Sequence, residues 1–367
     1  MPRQKESGAG RPDLKLRFDF FMTPFWDREL LRKQLRPISF KDAPHLTEIE
    51  KHYCSYYRID KETRITGVAH RLGYFEAIGY RLACHMYTPP RPRGTVFVFH
   101  GYFDHVGLFG HLVEHLLRDG YAVVAYDLPG HGLSSGETVS IKNFAQYQSI
   151  LEACLMLCDG HMPKPWMSVG QSTGGAVLIE YLFSNRFTPE SSPFLHWAFL
   201  APLVRPQGWR SVIMLHTLFG PFIRTWRRVF MANSNDPEFI KFLKDKDPLQ
   251  SRAVSIDWVG ALRRWVKRIE STDPLEQPVT IVQGKEDTTV DWRHNIPQLQ
   301  RLLPNAEVQY LETGRHQLVN ESPEIRARVF GWISEAFDRA IADQRSASVK
   351  KNETRITANS DKSGDRE

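Results

Sequence analysis

Apolar residues along this chain fall into two periods that alternate over most of its length. TVFVFHGYFDH, YAVVAYD, FLHWAFLAP and PVTIVQGKED open on short continuous apolar runs, the pattern of parallel strands buried on both faces. Between such runs the period becomes helical. VGLFGHLVEHLLRDG places Leu108, Leu112, Val113, Leu116 and Leu117 on one face with Gly120 at the C-cap, and a further helix is predicted around residues 141–158. Upstream, residues 43–59 have helical spacing, and GYFEAIGYRLACHMY reads as a two-strand hairpin turning near Gly79. Strand and helix alternating at short range predict a mostly parallel α/β sheet with right-handed crossovers.

The alternation stops at residue 203. From there to about residue 275 the chain is Trp-rich and helical in period, with no clear strand, and strand and helix resume at PVTIVQGKED, EVQYLETGRH and ESPEIRARVFGWISEAFDRAIAD. The expected organisation is a flexible arm (1–17), an α/β core with an N-terminal helical extension (18–202 and 276–343), an inserted helical cap (203–275) and a disordered tail (344–367). The mixed aromatic and basic stretch Phe18–Arg36 predicts a short amphipathic helix that packs on the body or touches a membrane.

Composition narrows the class. Hydrophobic content of 41% and charged content of 25% are those of a soluble globular protein, and no apolar run reaches the roughly 18 residues of a membrane span. The net charge is +6 and the pI about 9.1, but the basic residues are spread along the chain. That argues for solvated surface, against a nucleic-acid partner, and leaves acidic lipid headgroups as a peripheral contact. Cys54, Cys84, Cys154 and Cys158 have no metal-ligand partners at suitable spacing and read as reduced core thiols; neither metal nor cofactor is expected. The N-terminus has no apolar signal core, and Glu6 and Asp13 argue against a transit peptide, so the cytoplasm is the expected location. Oligomeric state leaves no signal.

Candidate chemistry centres on PWMSVGQSTGGAVLIEYLF. Gly170-Gln171-Ser172-Thr173-Gly174 fits G-x-S-x-G between a strand-like run and a helix-like run, the setting in which a strained serine projects its hydroxyl off a sheet edge while the flanking glycines let strand and helix nearly touch. A second match, ending in Ser134-Ser135-Gly136, sits in the loop DLPGHGLSSGET with no strand leading in, so Ser134 reads as a loop serine. A serine hydroxyl needs a base, and the base an orienting acid. Asp287 follows the strand VTIVQG and His316 follows VQYLE, so both emerge at the sheet edge that carries Ser172. Glu286 abuts the strand end, and Asp291 begins a helix where a carboxylate has an electrostatic reason to stand. Two N–H donors for a developing oxyanion are expected from the backbone of Thr173 and of Tyr102, with Gly101 allowing close approach.

With these residues identified, the chain resembles the α/β-hydrolase superfamily, in its serine-hydrolase branch of monoacylglycerol lipases, lysophospholipases and S33 aminopeptidases. The resemblance covers roughly residues 70–340 and rests on HGYFDH, AYDLPGHGLSSG, GQSTGG, GKEDTTV and TGRHQL in order. It implies an α/β-hydrolase fold with an inserted cap and an acyl-enzyme mechanism. Monoacylglycerol lipases usually carry HGxGEH where this chain has His100-Gly101-Tyr102-Phe103-Asp104-His105, so an aromatic pair stands in the oxyanion region. The expected substrate is a lipid or small-molecule ester, and the expected activity is hydrolysis of a carboxylic ester of a lipid with one acyl chain, a lysophospholipid or monoacylglycerol. Residues 203–277 hold 13 Lys/Arg against 8 Asp/Glu, and Trp258, Leu262 and Trp265 share a helical face ringed by Arg263, Arg264, Lys267 and Arg268, which suits an apolar tunnel beneath an anionic interface. An aminopeptidase would want carboxylates in that cap, and a non-catalytic binding protein of this fold would tend to lose members of the Ser-Asp-His set.

Overall fold

The computed structural model describes residues 26–361, with side chains through residue 347. The arm (1–17) and the start of the Phe18–Arg36 stretch lie outside the described residues, as do residues 362–367. The strands are β1 (Ala69–Ala77), β2 (Tyr80–Thr88), β3 (Thr95–Phe99), β4 (Ala122–Tyr126), β5 (Trp166–Gln171), β6 (His196–Leu200), β7 (Thr225–Arg227), β8 (Ala253–Ser255), β9 (Val279–Gly284) and β10 (Ala306–Leu311). The helices are α1 (Arg28–Gln34), α2 (Glu48–Tyr56), α3 (Lys61–Arg64), α4 (Gly110–Arg118), α5 (Ala145–Cys158), α6 (Thr173–Asn185), α7 (Trp209–Phe219), α8 (Pro237–Asp245), α9 (Ile256–Glu270), α10 (Trp292–Leu302) and α11 (Pro323–Asp361).

Eight strands form one sheet in the order β1-β2-β4-β3-β5-β6-β9-β10. The β1–β2 and β2–β4 pairs are antiparallel and the rest are parallel. The alternate side chains of β3 explain why it reads as one apolar run. Phe97 and Phe99 join the core formed with α5, α6, α9 and α10, while Val96 and Val98 join the core formed with α4 and α11 on the opposite face. A strand covered on both sides has no polar face to alternate with. The hairpin turns where expected, with Ile78 and Gly79 both at positive φ (42° and 84°), as a tight turn between right-twisted strands requires.

The N-terminal extension packs rather than projects. Leu31 is fully buried, and Trp26 lies against Tyr53, Tyr56 and Tyr57. Arg28 donates to the Gly132 carbonyl at 3.1 Å and Arg32 to the Ser134 carbonyl at 3.0 Å, so α1 clamps the loop after β4. At the other end, residues 344–361, expected as a disordered tail, continue α11.

Between β6 and β9 the chain leaves the sheet and builds α7, α8 and α9. It also builds something the pattern did not predict: β7 and β8 pair as an antiparallel ribbon of three residues each, too short to register as a period. The apolar stripe of α9 is turned inward, with Trp258, Leu262 and Trp265 all buried. Three of its basic residues hydrogen-bond within the protein. Arg263 donates to Thr217 Oγ1 (2.8 Å), Arg264 to the Lys142 carbonyl (2.7 Å), and Arg268 to the carboxylate of Glu180, which also accepts from Trp265 Nε1 at 2.8 Å. All four basic residues stay exposed, while Arg264 and Arg268 also tie α9 to the body and Arg263 ties it to α7.

Glu180 is fully buried on α6, and a buried carboxylate that loses its charged donor bears a desolvation penalty. Arg268→Ala should therefore lower unfolding free energy by about 1–3 kcal/mol, measured by urea denaturation; a change within about 0.5 kcal/mol would place that ion pair among exposed pairs of little consequence.

Candidate active site

Ser172 stands between the last residue of β5 and the first of α6 at φ 54°, ψ −114°, a left-handed region that a non-glycine residue occupies only when its surroundings impose it. The surroundings are identifiable. Its N–H donates to the Leu200 carbonyl (2.9 Å) and its carbonyl accepts from Leu203 N–H (3.1 Å), so the end of β6 and the segment after it hold the residue on both sides. A Cβ on Gly170 would meet the Gly174 backbone at 2.5 Å, and one on Gly174 would collide with the Phe99 carbonyl. The two glycines let β5, α6 and β3 converge on one point.

His316, in the loop after β10, and Asp287, in the loop after β9, pair with each other, and His316 lines the same cavity as Ser172. His316 Nδ1 lies 2.8 Å from Asp287 Oδ2, and both side chains are buried. Asp287 Oδ1 accepts from the N–H groups of Thr289 (2.7 Å) and Val290 (3.2 Å), and Oδ2 also from Gln283 Nε2 (3.2 Å). Burial pushes the Asp287 carboxyl up, but facing His316 and these donors outweigh it and hold it below the ordinary value. Burial pulls His316 down, but the Asp287 charge and hydrogen bond prevail and raise it, with Asp104 adding in the same sense. With Nδ1 as donor to a carboxylate, Nε2 is the basic nitrogen. Asp291 is the N-cap residue of α10, and Glu286 is exposed, 3.9 Å from Arg315. The acid facing the histidine is Asp287.

Gly101, Tyr102, Ser172, Thr173 and His316 line one cavity of about 240 Å³. A Cβ on Gly101 would lie 3.3 Å from that of Ser172, which brings the loop after β3 against the serine. The Tyr102 ring stacks on Trp258 at 3.9 Å, and its hydroxyl donates to the Val139 carbonyl (2.7 Å). Leu203, Val212, Val254, Val259 and Leu262 complete the apolar wall. Of the face assigned to an apolar tunnel, Trp258 and Leu262 thus line the cavity.

Three buried polar residues escaped the sequence reading. Gln171 Nε2 donates to Gln317 Oε1 (2.7 Å), Gln171 Oε1 accepts from Val319 N–H (3.0 Å), and Gln317 Nε2 donates to both oxygens of Asp104 (3.0 and 2.9 Å). One network joins the residue before Ser172, the residue after His316 and the loop carrying Tyr102. The only linear signal is position: each sits next to, or within, a motif already singled out.

Ser134 is structural. Its buried hydroxyl donates to the Asp127 carbonyl (2.5 Å) and accepts from Ala83 N–H (2.9 Å), pinning the loop to β2. All four cysteines are unpaired and buried. Folding does gather Cys54, His70 and His85, whose donor atoms lie within 4.8 Å of one another, a thiol and imidazole set of the type that holds zinc. Here His70 Nδ1 pairs with Glu62 (3.0 Å) and His70 Nε2 with His85 Nδ1 (3.0 Å), while His85 Nε2 is buried without a partner; burial raises the thiol pKa well above its ordinary value, and none of the three lines the cavity.

Residues 90–323 match the family described as serine aminopeptidase, S33. The chain is 26% identical over 285 residues to the monoglyceride lipase of Rattus norvegicus, covering 72% of this chain and 89% of that protein. It is 22% identical to an uncharacterized abhydrolase domain-containing protein of Dictyostelium discoideum, across 73% of this chain but only 29% of that protein's length. Among solved structures, a soluble variant of the Saccharomyces cerevisiae monoglyceride lipase in complex with a substrate analog superposes with a TM-score of 0.64 at 18% identity, covering 74% of this chain and 95% of that one. At that identity the likeness establishes the α/β-hydrolase fold.

The His316–Asp287 contact has a measurable consequence. In an NMR titration, the His316 imidazole should bind its proton with a midpoint above the ordinary 6.5, and Asp287→Asn should move that midpoint down, because the neutral amide no longer favours the charged ring. As pH falls through the midpoint Nε2 is protonated, so any function needing its lone pair is lost on the acid side. A midpoint unmoved by Asp287→Asn would remove Asp287 as the partner.

Proposed function

The chain belongs to the serine aminopeptidase S33 family, a monoacylglycerol lipase-like group of α/β-hydrolases, and on that premise we propose that it is a serine hydrolase cleaving the ester of a single-chain lipid through Ser172, Asp287 and His316. The observation that carries this reading is the buried 2.8 Å contact of His316 with Asp287 beside a cavity that Ser172 also lines. His316 Nε2 takes the Ser172 proton as Oγ attacks the ester carbonyl carbon. The carbonyl π electrons move to oxygen, and that oxyanion is received by the N–H groups of Tyr102 and Thr173. Collapse breaks the ester C–O bond while His316 returns the proton to the departing alcohol. Water, deprotonated by the same nitrogen, then cleaves the acyl-serine and releases the acid. An aminopeptidase reading has less support: the cavity is lined by the cationic Arg228, and its carboxylate, Asp104, is already bonded to Gln317, which is a poor setting for a substrate ammonium.

In this reading residues 203–275 form a cap that sets substrate access and touches lipid, on a protein residing in the cytoplasm. The surface that supports contact is not α9 but the stretch from α7 into the ribbon, where Met214, Leu218, Phe219, Phe222, Ile223, Val229 and Met231 are exposed, Phe222 by 83%. Arg210, Arg224 and Arg227 are exposed among them. Val229 and Met231 also line the cavity, so the patch runs into its mouth. Exposed apolar residues with interspersed arginines suit an anionic bilayer surface. Among the described residues no helix is long and apolar enough to cross a membrane.

Ser172→Ala, Asp287→Asn and His316→Ala should each reduce kcat for a p-nitrophenyl ester by about 10⁴-fold or more, non-additively, and Ser172→Ala should abolish fluorophosphonate labelling. Ser134→Ala should retain turnover in a protein less stable by about 1–2 kcal/mol, since Ala83 N–H loses its acceptor. Retained labelling in Ser172→Ala would move the nucleophile elsewhere.

A vesicle sedimentation assay tests the surface. Leu218→Ser with Phe222→Ser should weaken binding to phosphatidylglycerol vesicles several-fold while leaving hydrolysis of a short soluble ester unchanged. Undiminished binding would assign contact to another face.

A further inference from the structure

The aromatic pair in the loop after β3, of which Phe103 stands where HGxGEH has its second glycine, has separate duties. Tyr102 stacks on Trp258, whereas Phe103, held at φ 73°, lies under a cation: the Arg228 guanidinium carbon is 4.0 Å from its ring centroid. Arg228 follows β7, with its N–H bonded to the Arg252 carbonyl at 2.9 Å. Its side chain lines the same cavity as Ser172 and His316, and its Nη1 is buried without a hydrogen-bond partner. Asn233 lines the cavity too, and its Oδ1 is likewise buried and unpartnered.

Two orphaned polar atoms in one cavity wall are costly unless something fills them. The nearby carboxylates do not. Asp247 is taken by His105, Tyr57 and the Leu249 N–H, and Asp104 by Gln317, and neither lies within ion-pair distance of Arg228 among the described contacts. The position of the pair also has a direction. The Asn233 carbonyl accepts from Gln317 N–H at 2.8 Å, so this wall adjoins the residue after His316, the group that hands a proton to the leaving alcohol. The apolar residues of α7, β8 and α9 supply the surface an acyl chain needs.

Resting on the ester-hydrolase reading above, we propose that Arg228 and Asn233 form a subsite for an anionic alcohol, so that the preferred substrate is a monoacyl ester of a phosphorylated polyol rather than a neutral monoacylglycerol. The guanidinium fork receives the phosphate oxygens, Phe103 fixes its plane, and the Asn233 amide bonds a free hydroxyl of the same alcohol.

The test compares kcat/KM for 1-octanoylglycerol 3-phosphate and 1-octanoylglycerol, monomeric and of equal chain length. The wild-type ratio should favour the phosphate by about 10- to 100-fold, the range expected of one charge-assisted pairing, and should fall toward one in Arg228→Gln through KM, with Arg228→Lys between. A glycerol monoester of a dicarboxylic acid, whose charge is on the acyl side, should gain no advantage. A wild-type ratio near one, a ratio indifferent to Arg228→Gln in a folded variant, or an equal gain from the acyl-side charge would overturn the proposal. Calorimetric binding of both esters to Ser172→Ala keeps the two readings apart. Selective binding of the phosphate ester without turnover of any ester by the wild type would sink the ester-hydrolase reading and leave the anion subsite standing; turnover without selectivity would do the reverse.

Discussion

The left-handed backbone at Ser172 is the constraint around which the molecule is arranged. A non-glycine residue at φ 54° carries a strain on the order of 1–3 kcal/mol, and it persists because the residue is gripped by Leu200 at the end of β6 and by Leu203 in the segment after it. The grip sets what else must be near. Gly174 touches the end of β3 at Phe99, so the loop leaving β3 begins beside the serine, which puts Gly101 and Tyr102 at its side. The order β3-β5-β6-β9-β10 then lines up four carboxyl-end loops that carry Tyr102, Ser172, Asp287 and His316. A sheet of this order is the means by which residues far apart in sequence reach a shared cavity.

Within that frame, burial sorts the carboxylates. Asp287 and Asp104 both act on His316, yet their environments push them in opposite directions. Asp287 is held below its ordinary pKa because, against burial, it faces an imidazole and accepts two backbone N–H bonds. Asp104 is raised, because its burial is offset chiefly by the side-chain amide of Gln317. The first is suited to stand as a charge beside an imidazolium, and the second to anchor a loop. The Gln171–Gln317–Asp104 chain thereby couples the loops around the cavity, and Asp104 adds to the field that raises His316.

How much was legible in the sequence follows the range of the interactions. Strands of five or six buried residues, the hairpin at Gly79 and the glycines around Ser172 are local requirements, and they read directly. Asp287 and His316 were placed by a topological rule, that loops after parallel strands open on one edge, which needs only the strand order. The glutamine and aspartate network was not readable, because its partners are 146 and 213 residues apart. Helix α9 shows a subtler limit: an apolar stripe ringed by arginines has the same pattern whether the arginines face lipid or reach back to Thr217, Lys142 and Glu180. The gathering of Cys54, His70 and His85 depends likewise on how α2 meets the hairpin. Arg228, in the run Arg227-Arg228, is told from its neighbour only by which side of a three-residue strand it leaves.

In the proposed reading, chemistry and selectivity would rest on parts of unequal rigidity. Ser172, Asp287 and His316 stand on loops that leave strands buried in the sheet, where a displacement would have to move a close-packed core. The insertion between β6 and β9 is attached by side chains and by backbone bonds such as Gln207 N–H to Thr289 and Gln317 N–H to Asn233. Of α7, only Trp209 is buried, with Val212 and Ile213 partly buried against the core, so this helix is less deeply seated than α9. By contrast α9 is seated by Trp258, Leu262 and Trp265 and by the Glu180 contacts, and it keeps one wall of the cavity in place. Val212 of α7 lines the same cavity, and α7 is tied to α9 through the Arg263–Thr217 bond, so that part of the apolar wall depends on how α9 carries α7.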